Sequence, residues 1–217
     1  MKERPILVSG PMVKAILEGE KTQTRRVMRV QPWKLPEAVD RVAGWMWTKN
    51  GTGDGDGVEW GINAPMDEVR AEIAKHCPQG QPGDLLWVRE AHTFGETDGE
   101  TWADVYYRDE THQRRTCSME AAETVAQWVE DREVDGDGGD NWRPSIHMPR
   151  WASRITLEVV NVRVQRLQEI THEDARCEGF DSLDGFALLW DRINEKRGYG
   201  WHANPWVWAV EFRAVKA

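Results

Sequence analysis

Ser153-Arg154-Ile155-Thr156-Leu157-Glu158-Val159-Val160-Asn161-Val162-Arg163-Val164 is the strongest strand signal in the chain. β-Branched residues fill it in period-two alternation, the pattern of a half-buried strand. The alternation changes phase midway. Ile155, Leu157 and Val159 share one face, whereas Val160, Val162 and Val164 share the other. One buried face holds both halves only if the strand bulges or bends, as strands do where small barrels turn corners.

C-terminal to this strand, Thr171 to Glu178 reads as a helix. Thr171 and Asp174 take capping-box positions, and Gly179 is the stop. A second helix from Asp181 puts Phe186, Leu189, Trp190 and Ile193 on one face. Trp206 to Val215 then reads as a strand, with Trp208, Val210 and Phe212 facing one way and Glu211 and Arg213 the other.

N-terminal to it, the turn Pro82-Gly83-Asp84 delivers the strand Leu85 to Glu90. Earlier still, Met12, Val13, Ile16 and Leu17 keep helical spacing between Ser9 and the stop Gly19, and Lys21 to Val30 suits a strand or its approach. Strands flanking short helices, with neither a β-α-β rhythm nor Gly-x-Gly-x-x-Gly, indicate an α+β fold with a small mixed β-barrel rather than a Rossmann sheet.

Two stretches break this order. Residues 31–82 are rich in Gly and Pro, with a short helix expected near Met66 to Lys75. Residues 96–140 are acidic and hold a strand candidate at Tyr106-Tyr107 and a helix from Met119 to Val129. Both read as irregular insertions in one domain spanning residues 1–217. Asp54, Asp56, Asp135, Asp137 and Asp140 invite a calcium reading, but Pro65 and Ile146 stand where the twelfth-position carboxylate is required. These aspartates read as solvated loops.

Thirteen tryptophans and a net charge of -9 are the compositional anomalies. The charge argues against coating duplex DNA, which needs a broad positive face. Yet residues 1–30 carry seven Lys/Arg against three Glu, and residues 141–166 carry five Arg against Glu158. Laid together, the two stretches would form a local basic site for a compact anion. Cys77, Cys117 and Cys177 form no C-x-x-C and suggest neither disulfides nor zinc. With no apolar run near the ~18 residues of a membrane span, the expectation is a soluble, cytoplasmic protein.

Gly19-Glu20-Lys21-Thr22-Gln23-Thr24-Arg25-Arg26 resembles the signature of the ASCH domains of the PUA-like superfamily, carried here by Gly19, Lys21 and Arg26. The resemblance continues in Pro82 to Glu90, in Trp142-Arg143-Pro144-Ser145-Ile146-His147-Met148-Pro149-Arg150-Trp151-Ala152-Ser153-Arg154-Ile155, and in Asn204-Pro205-Trp206-Val207-Trp208. These blocks cover about half the chain and look like the longer ASCH-like proteins of tailed phages and prophages.

The resemblance implies a PUA-like barrel whose cleft takes RNA or a nucleoside. Some small members hydrolyse the amide of N4-acetylcytidine with a Lys, a Thr and a Glu, which match Lys21, Thr24 and Glu178 here. A Thr hydroxyl is a poor nucleophile until a base takes its proton, and a Lys serves as that base only where burial and neighbouring cations such as Arg25 and Arg26 lower its pKa. Glu178 would protonate the leaving amine and then activate water. Arg25, Arg26, Trp142, Arg143, His147, Arg150 and Trp151 are the expected substrate-binding residues. No metal and no cofactor are expected, since neither H-x-E with P-C-x-x-C nor H-E-x-x-H occurs. The expected partner is a nucleoside, RNA or single-stranded nucleic acid. The alternatives are a non-catalytic RNA or modified-base binding module, a metal-independent ribonuclease and a structural role in phage assembly.

Overall fold

The structure is a computed structural model that describes residues 1–31, 33–34, 45–48, 57–60, 65–135 and 142–215. Its elements run β1 (Glu3–Leu7), α1 (Gly10–Leu17), β2 (Gln23–Val27), β3 (Trp33–Lys34), β4 (Trp45–Thr48), β5 (Gly57–Trp60), α2 (Met66–Ala74), β6 (Leu85–Arg89), β7 (His92–Thr97), β8 (Trp102–Tyr107), β9 (His112–Thr116), α3 (Met119–Asp135), β10 (Thr156–Arg166), α4 (His172–Cys177), α5 (Leu183–Asn194) and β11 (Trp206–Val215).

The long strand signal becomes β10, and its burial changes phase as expected. Leu157 and Val159 are buried, Val160 and Asn161 are exposed, and Val162 and Val164 are buried again. At the changeover the Val162 N–H donates to Asn161 Oδ1 at 2.9 Å, so a side chain satisfies a backbone group there.

The hydrogen-bonded strand order is β1-β6-β10-β11-β2, with β1 parallel to β6 and β2 antiparallel to β11. The class is mixed α+β, as read from the sequence, but among the described residues the expected closed barrel does not form. β1 and β2 stand at opposite ends of the order, and both have edge-strand chemistry: Pro5 has no N–H to donate, and β2 carries Arg25 and Arg26.

The chain divides into two compact units. The first comprises Met1–Lys2, Gly19–Asp84 and Glu158–Arg213; the second comprises Glu3–Glu18, Leu85–Leu157 and Ala214–Ala217.

In the first unit Leu167, Ile170, Ala175, Phe186, Trp190 and Val207 form one core cluster. α4 has the expected capping box: Thr171 Oγ1 accepts the Asp174 N–H at 3.0 Å, and Asp174 Oδ2 accepts the Thr171 N–H at 3.1 Å. Ser182 caps α5, which buries Phe186 and Trp190 but leaves Ile193 exposed. Asn194 takes the buried place instead, its amide bonded to the Trp190 carbonyl. β11 is buried on both faces from Trp206 to Val210, so the expected alternation holds only in its last residues. Only part of the 31–82 excursion lies within the described residues, and regular elements occur there. It holds α2, where a helix was expected, and the antiparallel sheet β3-β4-β5. Asp54, Asp56, Asp137 and Asp140 lie outside the described residues.

In the second unit β7-β8-β9 form an antiparallel meander followed by α3, so the described part of the acidic 96–140 stretch holds strands and, where one was expected, a helix. Phe94, Ala103, Val105, Tyr107, Val125, Met148 and Ala152 form its core cluster. Tyr107 is fully buried, and its hydroxyl donates to the Ala152 carbonyl at 2.9 Å. Burial pushes its pKa up to about 12. Among the described residues, no helix is long and apolar enough to cross a membrane.

Candidate functional site

β2 begins at Gln23, so Lys21 stands outside the regular strand and escapes its alternation of faces. Its neighbour Thr22 is fixed from both sides: the Thr22 N–H donates to the Cys177 carbonyl at 2.9 Å, and the Phe212 N–H donates to the Thr22 carbonyl at 2.8 Å. Lys21 is thereby held at the C-terminal end of α4. Its Nζ donates to Glu178 Oε2 and to the Glu178 backbone carbonyl, each at 2.8 Å. A cation there satisfies a carbonyl that the helix leaves without an internal partner.

Lys21 is 6% exposed and Glu178 4%, so both charged groups are withdrawn from solvent. Burial lowers the lysine pKa from its usual value. Glu178 opposes that shift, while the charges of Arg26 and Arg25 reinforce it.

Arg25 extends the cluster. Its Nη1 donates to Glu178 Oε1 at 3.2 Å and to the Gln23 amide oxygen. Its Nη2 lies 3.0 Å from Asp174 Oδ2, an ion-pair contact without hydrogen-bond alignment. Asp174 Oδ1 accepts from Gln23 Nε2 at 3.1 Å and from Arg163 Nη2 at 2.9 Å, and Arg163 Nε reaches Glu211 at 2.9 Å. Lys21, Arg25 and Arg163 thus face Glu178, Asp174 and Glu211, three charges against three. Burial alone would raise the Asp174 pKa, but hydrogen bonds from Thr171, Arg163 and Gln23 and the charge of Arg25 hold it well below the usual carboxylate range. The Arg25 side chain is fully buried and turned to these protein groups, while its Nε and Nη2 make no hydrogen bond among the described residues.

Thr24 is 7% exposed and pairs with Val210 in the β2–β11 ladder. It alternates with Gln23 and Arg25 along the strand. Among the described residues, no hydrogen bond joins its hydroxyl to Lys21 or Glu178. Arg26 lies close enough to be attracted by Glu178 and to repel Lys21, and burial lowers its own pKa.

The other expected substrate residues lie in the second unit, where a backbone bridge to His92 holds Arg143 and two 3-10 turns, Ser145–His147 and Arg150–Ala152, carry His147, Arg150 and Trp151. Arg143, His147 and Trp151 recur at four-residue spacing and line one cavity of about 320 Å³, with Phe94, Glu120 and Thr124 among the other walls. Trp151 stacks on Phe94 at 5.4 Å between centroids, and the Arg143 guanidinium lies 5.6 Å from the Phe94 centroid. His92, fully buried behind Phe94, is held neutral: burial brings its pKa down to about 4, and the charges of Arg143 and His147 add to that.

Arg150 and Trp142 do not line this cavity. Arg150 pairs with Glu3 at 2.8 Å, and Trp142 lies under the Arg108 guanidinium at 4.5 Å. Several cations of the two basic stretches are compensated within their own unit. Arg25, Arg150, Arg154 and Arg163 each pair with carboxylates of their own unit, because buried or half-buried cations are retained only when paired.

Sequence reading missed Gln23, Asp174 and Arg163. The capping box at Thr171 marked Asp174 for a local role, but its second carboxylate oxygen serves Gln23 and Arg163. Comparison with known proteins adds no relative: no family model, curated protein or solved structure matches the chain.

Proposed function

We propose that the chain is a cofactor-free amidohydrolase that deacylates N4-acylated cytosine in a nucleoside or nucleic acid, with Lys21 as base, Thr24 as nucleophile and Glu178 as proton shuttle. Within this reading the first unit is the core of a PUA-like ASCH fold, of phage or prophage origin and working in the bacterial cytoplasm. The observation that carries it is the buried 2.8 Å contact between Lys21 and Glu178, beside two arginines that disfavour the lysine charge.

The proton route follows from that contact. Neutral Lys21 takes the Thr24 proton as Oγ1 bonds to the acyl carbon, and passes it to the Glu178 carboxylate. Glu178 delivers it to N4 as the C–N bond breaks, leaving an acyl-threonine and cytosine. Water then attacks the ester while Glu178 takes its proton. That proton returns through Lys21 to Thr24, and the carboxylic acid leaves. The Thr24 hydroxyl has to close on Lys21 when substrate binds, as catalytic hydrogen bonds often do.

This scheme fixes a pH dependence. Lys21 acts only when neutral, and its folded pKa lies below the ordinary 10.5. The rate of acetate release from N4-acetylcytidine should therefore climb with pH and level off below 10.5, a limb that Lys21→Met flattens. A rate independent of pH over that range takes the base role away from Lys21.

A second reading, a module that binds single-stranded RNA or a modified base, is favoured by the Arg143–His147–Trp151 cavity. Aromatic stacking contributes about 1–3 kcal/mol per base. Arg143→Ala should weaken RNA binding and reduce the salt slope by about one, while Thr24→Val leaves affinity unchanged. Filter binding at two salt concentrations checks this, and an unchanged affinity in Arg143→Ala removes the cavity from the binding surface.

A further inference from the structure

The second unit holds another cavity, of about 490 Å³, between the first turns of α1, the end of β6 and the β8–β9 turn. Lys14, Glu90, Arg108, Asp109 and Arg154 give it a charged lining with two unlike ends.

At the inner end Arg154 is fully occupied. Its Nε and Nη2 donate to the two Glu90 oxygens at 2.9 Å each, Nη2 also to Asp109 at 2.9 Å, and Nη1 to Thr111 at 2.5 Å. The guanidinium carbon lies over Tyr107, 4.0 Å from the ring centroid. Two carboxylates thus share one cation, and this end carries a net negative charge. Glu90 is 4% exposed and keeps acceptor capacity on both oxygens, since an ionised carboxylate accepts about four hydrogen bonds.

The outer end is cationic. Arg108 is exposed, with its guanidinium stacked on Trp142, and among the described residues no carboxylate pairs with it. Lys14 is 72% exposed and has only a 3.7 Å contact with Glu18. Ser9 caps α1 without a side-chain bond, and the first turn of the helix has no acidic residue, so the helix end adds to the positive side.

We propose that this cavity binds a phosphorylated nucleoside, its phosphate on Arg108 and Lys14 and its hydroxyl or amino donors on Glu90. A ligand that is anionic throughout would be repelled by Glu90 and Asp109, and one that is cationic throughout by Arg108 and Lys14. The volume lies in the range of small-molecule pockets, roughly 300–1,000 Å³. Stacking on Trp142 orients the flat Arg108 fork, which matches a phosphate by two parallel hydrogen bonds. The proposal requires neither Lys21 nor hydrolysis.

The test is calorimetric titration of the full chain with the four common nucleoside 5′-monophosphates, each beside its unphosphorylated nucleoside. At least one monophosphate is expected to bind tenfold or more tightly than its nucleoside. Arg108→Ala, a change at an exposed position, should remove that advantage, and Arg108→Lys should restore part of it. A 5′-phosphorylated trinucleotide binding more tightly than the monophosphate would place the ligand at a nucleic-acid end, and the reverse order at a free nucleotide; both support the site. Equal binding of phosphorylated and unphosphorylated forms, no binding of any monophosphate, or an unchanged affinity in Arg108→Ala overturns it.

Discussion

Glu178→Ala is expected to lower the free energy of unfolding by about 3–5 kcal/mol, the usual cost of leaving a buried charge without its partner. Lys21 has two acceptors, the Glu178 carboxylate and the Glu178 carbonyl, and the substitution leaves it only the second. Arg25 loses a contact in the same step. Lys21→Met should cost clearly less, because Glu178 keeps Arg25 at 3.2 Å and the methionine chain fills the space of the lysine stem. Urea unfolding at neutral pH measures both, with an unchanged m-value showing that the comparison is between like states. Equal losses in the two variants would mean that the pair is not asymmetric as described.

The larger kinetic effect belongs to Lys21. In Lys21→Met nothing takes the Thr24 proton, and kcat/KM for N4-acetylcytidine should fall by about 10²–10⁴, the range that general-base catalysis contributes. Because the variant retains the Glu178–Arg25 pair, its unfolding midpoint should stay well above the assay temperature, separating lost chemistry from lost fold. Full activity in Lys21→Met would leave the buried contact as a structural lock.

Short-range features were legible in the sequence. The Thr171/Asp174 capping box, the glycine stops at Gly19 and Gly179 and the phase change of β10 depend on residues within one or two turns, and all three are found. The pairing of Lys21 with Glu178 was implied by the resemblance and lies across 157 residues. What escaped reading depends on tertiary context. Gly/Pro-rich composition concealed β3-β4-β5, and in the acidic stretch only the Tyr106-Tyr107 end of β8 showed as a strand, because short strands give little period to read. Asp174 could be seen as a cap but not as the partner of Arg25 and Arg163, because no local pattern encodes a second use of a carboxylate. The arginines near Trp142 share one sequence block, yet a bridge to His92 holds Arg143 at a cavity while Arg150, in a 3-10 turn further on, pairs with Glu3.

In the proposed reaction Thr24 attacks the acyl carbon of an N4-acylated cytosine with help from Lys21 and Glu178. Mass spectrometry of N4-acetylcytidine incubated with the wild type and with Thr24→Val tests it most directly. Thr24→Val keeps the buried shape and removes the hydroxyl. Cytidine and acetate are expected from the wild type and neither above background from the variant. Release by both at the same rate, or by neither, would contradict it.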